Sequence, residues 1–150
     1  MTSVRPLYGC VLAPDAPPDF RLVSPLLEHL QALVGGYLES IPNALGVDLY
    51  ANEEGRLLGL PLNPVASAIA GRAIVGTCVL LRHDAEGEVA SLTQDDLRTL
   101  VPMLNGVFAL AFGLCAGCMH AKHAAGACDA CPCGHATGCD CAACASNRPF

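Results

Sequence analysis

The stretch AIVGTCVLLRH, residues 73–83, decides how this chain folds. It is a run of aliphatic and β-branched side chains, which predicts a central strand. The polar stretch HDAEGE that overlaps its end predicts a turn, and Val89–Leu92 predicts a shorter strand that returns beside it.

Upstream of this strand, short apolar segments alternate with turn signals. Leu7–Leu12 predicts a strand, the Pro-rich APDAPPD predicts a loop, and YLESIP predicts another short strand. The stretch VDLYANEEGRLLGLP predicts a hairpin, with strands Val47–Ala51 and Arg56–Leu60 on either side of a polar turn that Gly55 closes.

Three helices are predicted from start and stop signals. In SPLLEHLQALVGG, Ser24 and Pro25 form a helix start, and Gly35 and Gly36 form its end. Asn63 with Pro64 begins a short helix, Val65–Ala70, which Gly71 closes. Thr93 with Asp96 begins a third helix, expected to run past Pro102 toward Phe112 with a kink or interruption near Leu100. The element order β-α-β-β-β-α-β-β-α predicts an α+β fold, in which two or three helices pack on a small mixed or antiparallel sheet.

Composition divides the chain at about residue 108. Residues 1–108 carry six basic and twelve acidic side chains, whereas residues 109–150 carry two of each. We therefore expect an α+β body over residues 1–108 and a separate Cys/His-rich, metal-dependent tail over residues 109–150. An acidic body without a basic stripe disfavours nucleic-acid binding.

Four segments of the body together resemble a known family. They are LQALVGGYLE, VDLYANEEGRLLGLPLNPVA, IVGTCVLL and EGEVASLT, and they lie within residues 7–104. The pattern is similar to a family of small domains from bacteria and their phages that is classified as a domain of unknown function. The resemblance implies a fold and an accessory role in phages or mobile elements, and it implies no activity.

The body offers few candidates for chemistry. Asn52, Glu53 and Glu54 are interpreted as a solvated turn rather than a carboxylate site, and Asn63 as a helix cap. His29 is expected to be partly buried, and the two body cysteines, Cys10 and Cys78, to pack as small hydrophobic side chains. No phosphate-binding, dinucleotide-binding or nucleophile-elbow motif occurs in the sequence. We therefore predict a body without enzymatic activity.

The apolar runs in the sequence indicate in which compartment the chain is expected and whether it is expected to cross a membrane. The N-terminal twenty residues lack the apolar run of a secretory signal, which predicts a reducing, cytoplasmic setting. No charged residue lies between Arg98 and Lys122, so this segment is long enough to be considered as a membrane span. Its proline, asparagine and glycines favour a buried helix that runs into the tail.

The tail holds eight of the ten cysteines in CxxC and CxC spacings. A CxxC turn places two thiolates close enough to share one metal ion, and Zn²⁺ takes four such ligands, so eight thiols predict about two zinc ions. The tail also lacks the apolar side chains needed to fold without a metal. The predicted ligands are Cys115, Cys118, Cys128, Cys131, Cys133, Cys139, Cys141 and Cys144, with His135 as the best substitute.

Several assignments of these thiols remain open. The CxxCxC and CxCxxC elements with the histidine between them are similar to bacterial metallothioneins, which implies clustered metal ions. Two separate zinc sites, a tail without metal, and disulfides are the alternatives, while the spacings do not match ferredoxin clusters.

Three functions compete at this stage. The first is a non-enzymatic accessory protein, whose body binds a protein or small-molecule partner and whose tail is a zinc-binding module. The second is metal buffering by a metallothionein-like tail. The third is a small metal-dependent enzyme. We prefer the first.

Overall fold

A computed structural model describes residues 4–113. The chain divides into two units between Gln94 and Asp95. The predicted α+β class is confirmed, and the sheet is antiparallel throughout.

The first unit contains six strands: β1 (Leu7–Leu12), β2 (Asp19–Val23), β3 (Leu38–Ile41), β4 (Asp48–Asn52), β5 (Cys78–His83) and β6 (Val89–Ala90). They form a sheet with the order β2-β1-β5-β4-β3, in which β6 also pairs with β5. The predicted central strand is confirmed, because β5 lies in the middle of this order and its first four residues are buried. It begins at Cys78, five residues after the start of the predicted stretch.

Two different strands share one edge of β5. The register of β1 on β5 places Cys10 opposite Leu80, whereas the register of β6 places Ala90 opposite Arg82. At the junction Tyr8 bonds to residues that follow β6: its carbonyl accepts from the Leu92 amide at 2.8 Å, and its amide donates to Ser91 Oγ at 3.0 Å. The sheet therefore forks between β1 and β6.

Helix α1 (Leu27–Val34) packs its apolar side on one face of the sheet. Leu30 and Val34 of the helix form a buried cluster there with four strand residues, Val11, Val23, Val79 and Leu81. Gly35 ends the helix in the left-handed conformation, as the sequence predicts. The residues on the other face of the sheet, Cys10, Leu12, Leu49 and Leu80, are also buried.

Helix α2 (Pro64–Ala70) follows the predicted signature of a cap and a proline. Asn63 Oδ1 accepts a hydrogen bond from the Ala66 amide at 3.1 Å, and Gly71 ends the helix in the left-handed conformation. The predicted end at Ala70 is confirmed, and the helix begins at Pro64, one residue before the predicted start.

Helix α3 (Gln94–Phe112) lies in the second unit from its second residue onward. Its buried residues Leu100, Leu104 and Phe108 recur every four positions and give the helix one apolar side. The helix extends past Pro102 to Phe112 as predicted, and it is not interrupted near Leu100. Over the described residues, no helix is both long and apolar enough to cross a membrane.

Two segments differ between the prediction and the structure. Strand β2 has no counterpart among the predicted elements. Only Val23 of its five residues is buried, and the strand depends on its pairing with β1. The predicted hairpin strand Arg56–Leu60 is wrong. The amides of Leu58 and Leu60 donate locally, to the carbonyls of Glu54 and Gly55, so they are not available to a ladder.

The start of α1 also lies later than predicted. Leu26 precedes the first helical turn, and it makes no side-chain cap. Ser24 Oγ instead lies 2.7 Å from His29 Nδ1. The prediction that His29 is partly buried is wrong, because His29 is exposed. The first buried residue of the helix is its neighbour Leu30.

Candidate functional site

The predicted metal ligands all lie outside the described residues. They are Cys115, Cys118, Cys128, Cys131, Cys133, His135, Cys139, Cys141 and Cys144. Within residues 4–113, no group of three or more His, Cys, Asp or Glu side chains is close enough together to hold a metal ion. The zinc assignment therefore stays a prediction.

The acidic turn after β4 divides into an inward amide and two outward carboxylates. Asn52 is buried, and its Nδ2 donates to the Val34 carbonyl at 3.2 Å while its Oδ1 accepts from the Glu54 amide at 2.8 Å. Glu53 and Glu54 are exposed. The exposed Glu53 and Glu54 agree with the interpretation as a solvated turn. The same interpretation is wrong for Asn52, which is buried at the end of β4 and ties the turn to the end of α1.

Asn63 is buried completely, and its amide does more than cap α2. Its Nδ2 donates to the carbonyls of Leu12 and Gly76, each at 2.9 Å. The side chain thereby joins the helix start to β1 and to the segment before β5. The cap was predictable from the Asn-Pro pair, whereas these longer connections depend on the tertiary fold.

The two body cysteines are buried and unpaired by disulfides. Burial raises the pKa of Cys10 to about 12, with a further contribution from the charge of Asp19, and burial raises the pKa of Cys78 to about 12. A buried thiol whose pKa is raised in this way is protonated at neutral pH, and this disfavours nucleophilic reactions. The interpretation of these residues as small hydrophobic side chains is confirmed.

A histidine–carboxylate pair joins β4 to β5. His83 Nδ1 lies 2.9 Å from Asp48 Oδ2, and the His83 side chain is 58% exposed. The sequence analysis places His83 in the turn that follows β5. It does not predict the contact with Asp48, because that contact depends on the register of β4 on β5. An exposed pair of this kind contributes little to stability.

The segment 56–62, called the leucine loop below, presents three large apolar side chains to solvent. Leu57 is 87% exposed, Leu58 57% and Leu62 56%. The loop is nevertheless held by hydrogen bonds from both ends. Arg56 Nη2 donates to the Ala73 carbonyl at 3.1 Å, and the Pro61 carbonyl accepts from the Gly76 amide at 2.8 Å.

The start of the leucine loop is fixed by close packing. Gly55 is buried, and a Cβ at this position would lie 2.8 Å from Val75 Cγ2, so a larger residue does not fit without movement. Leu62 forms an isolated bridge with Val75 at the other end. The loop is therefore an ordered surface whose apolar side chains do not contribute to the core.

The fold and this surface define a small antiparallel α+β domain with an ordered, apolar surface loop. A family model matches residues 8–105, and the chain belongs to that family, described as Domain of unknown function (DUF3846). No curated protein matches the chain.

Among solved structures, the chain is similar to one described as the crystal structure of small RNA methyltransferase HEN1. The identity is 12% and the TM-score 0.49. The match covers 75% of this chain and only 18% of that structure.

Proposed function

We propose that this protein is a non-enzymatic accessory protein of the phage or mobile-element type. In this proposal its body binds a partner protein through the leucine loop, and its tail is a zinc-binding module. The observation that carries the partner-binding role is the exposure of Leu57 and Leu58 on a loop that backbone hydrogen bonds hold in place.

Because Leu57 and Leu58 are exposed, the folded chain does not gain the free energy that burying them would contribute to its stability. Each square ångström of apolar surface left in water forgoes about 25 cal/mol of stabilisation. The loop backbone is satisfied by contacts with Glu54, Gly55 and Gly76, so the side chains are not needed to hold it. Adjacent large apolar side chains on an ordered loop are typical of protein interaction sites.

The charged residues next to Leu57 and Leu58 indicate what kind of partner surface would bind the loop. Glu53 and Glu54 are exposed immediately before the loop, and within residues 4–113 neither forms an ion pair. Arg56 carries the one opposing charge nearby in sequence, and its guanidinium is directed to the Ala73 carbonyl. The surface therefore suits an apolar groove with a basic rim.

The test compares proteins retained by the full chain from a lysate of the host cells. The double variant Leu57→Asp with Leu58→Asp should lose a specific partner that the unchanged chain retains, because the substitution removes the apolar contact. Its thermal unfolding should match that of the unchanged chain to within a few degrees, because neither side chain is buried.

Leu27→Asp is the matched control, because Leu27 is 61% exposed and belongs to α1 rather than to the loop. This variant should retain the partner. Glu53→Gln with Glu54→Gln should weaken retention and reduce its dependence on salt. Equal retention by the leucine variant and the control would refute the loop as the partner-binding surface.

The zinc-binding role is supported by the donor set of the tail. Eight thiols in CxxC and CxC spacings, with His135 among them, suit Zn²⁺, which prefers sulfur and nitrogen ligands. Bound zinc would hold the thiolates together and stabilise a folded tail. A cytoplasmic setting belongs to the same proposal, because thiolate ligands must remain reduced.

A further inference from the structure

A groove of about 580 Å³ lies at the fork of the sheet. It forms where β1 leaves its pairing with β5 and Tyr8 bonds instead to Ser91 and Leu92. Its volume falls in the range of small-molecule sites, which is about 300–1,000 Å³.

Apolar side chains form most of the groove. Tyr8 and Leu22 are opposite each other in the β1–β2 register, so their side chains lie on the same face of the sheet. Val89 and Ala90 of β6 also line the groove. Leu22 is 61% exposed, although it lies beside this apolar surface. A ligand with an apolar body would cover it.

The polar groups of the groove favour an anion. Arg5 is the cation among the lining residues, and within residues 4–113 it forms no ion pair. Arg21 and Arg72, by contrast, lie within 3.7 Å of carboxylates. Ser91 Oγ accepts from the Tyr8 amide, which leaves its O–H able to donate. A cation and a hydroxyl donor therefore border an apolar surface.

We propose that this groove binds a small organic anion, a carboxylate carried on an aromatic or aliphatic frame. The frame would lie against Tyr8, Leu22 and Val89, and the carboxylate would lie at Arg5 and Ser91. This site is separate from the leucine loop, and it does not depend on the partner-binding proposal.

The probe is 2-naphthoate, with 2-naphthamide as its neutral counterpart. Each is titrated into the isotopically labelled full chain while backbone amide NMR signals are recorded. For 2-naphthoate, we expect saturable shifts centred on Tyr8, Leu22, Val89 and Ala90. We expect 2-naphthamide to bind at least about threefold more weakly, because it lacks the charge that Arg5 attracts.

Two variants and two controls separate the charge from the apolar contact. Arg5→Gln should weaken 2-naphthoate about threefold and leave 2-naphthamide unchanged, whereas Leu22→Asn should weaken both about fivefold. Arg72→Gln and Leu57→Asn make the same changes elsewhere and should have no effect. Absence of saturable shifts, shifts centred on other residues, or equal binding of 2-naphthoate to Arg5→Gln and the unchanged chain would overturn the proposal.

Discussion

The side-chain amide nitrogen of Asn63 lies 2.9 Å from the carbonyl oxygen of Leu12, which is 51 positions away in the chain. The same nitrogen lies 2.9 Å from the Gly76 carbonyl, and the amide oxygen caps α2. One fully buried side chain thus connects a helix start, a sheet strand and the segment before the central strand. These connections need both the amide nitrogen of Asn63 as a donor and its amide oxygen as an acceptor.

Replacing Asn63 with Asp separates the cap from the longer connections. Aspartate caps helices about as well as asparagine, so a cap alone would survive the change. The carboxylate cannot donate to Leu12 and Gly76, and it would be buried against two carbonyl oxygens. We expect the free energy of unfolding in urea to fall by about 2–4 kcal/mol at neutral pH. A change below about 0.5 kcal/mol would mean that the cap is the whole role.

Gly9 fixes the close approach of β1 to β5 just before the fork. A Cβ there would lie 2.8 Å from the Leu80 carbonyl oxygen and 2.7 Å from Leu81 Cδ2, so the backbone must move. We expect Gly9→Ala to lower the free energy of unfolding by about 1–3 kcal/mol. Gly106→Ala is the comparison, because a Cβ at this helical position meets nothing within 4 Å. It should stabilise the chain by about 0.5–1 kcal/mol. Equal effects of the two substitutions would contradict the packing described for Gly9.

The buried thiols predict a loss of stability at high pH. The pKa of Cys10 and that of Cys78 are raised from 9.0 to about 12, so the folded state retains protons that the unfolded state releases. Their contribution is constant below pH 9 and is lost between about pH 9 and 12, at up to about 1.4 kcal/mol per pH unit for each thiol. Urea unfolding at pH 8, 9.5 and 10.5 measures this loss. The variant with both cysteines changed to alanine should lose stability less steeply, and parallel curves would contradict the burial of the thiols.

The parts of the fold that sequence predicts are those encoded locally. The cap of α2 by Asn63, the glycine end of α1 and the apolar run of β5 each depend on neighbours in the chain. Strand β2 and the fork depend on pairing between distant segments, and the local signal of β2 is weak because most of it is exposed.

The candidate sites likewise include features that depend on contacts between distant segments and that the sequence does not predict. The stretch GRLLGLPL has strand composition, and its actual loop form depends on backbone hydrogen bonds with Glu54 and Gly76. The exposure of Leu57 and Leu58 therefore could not be predicted from their apolar character. His83 and Asp48 are 35 positions apart and become neighbours only through the register of β4 on β5.

The most direct test of the proposed zinc-binding role is native mass spectrometry of the reduced full chain, loaded with Zn²⁺ and freed of excess metal. We predict two retained ions per chain at neutral pH, progressive loss as the pH falls, and removal by a chelator. Cys128→Ser with Cys131→Ser should reduce the number of ions, while the control Cys10→Ala with Cys78→Ala should retain two. Three or more ions that exchange for copper or cadmium would favour metal buffering over a zinc module. A chain that retains no zinc at neutral pH, or whose tail cysteines are found as disulfides in freshly purified protein, would contradict the account.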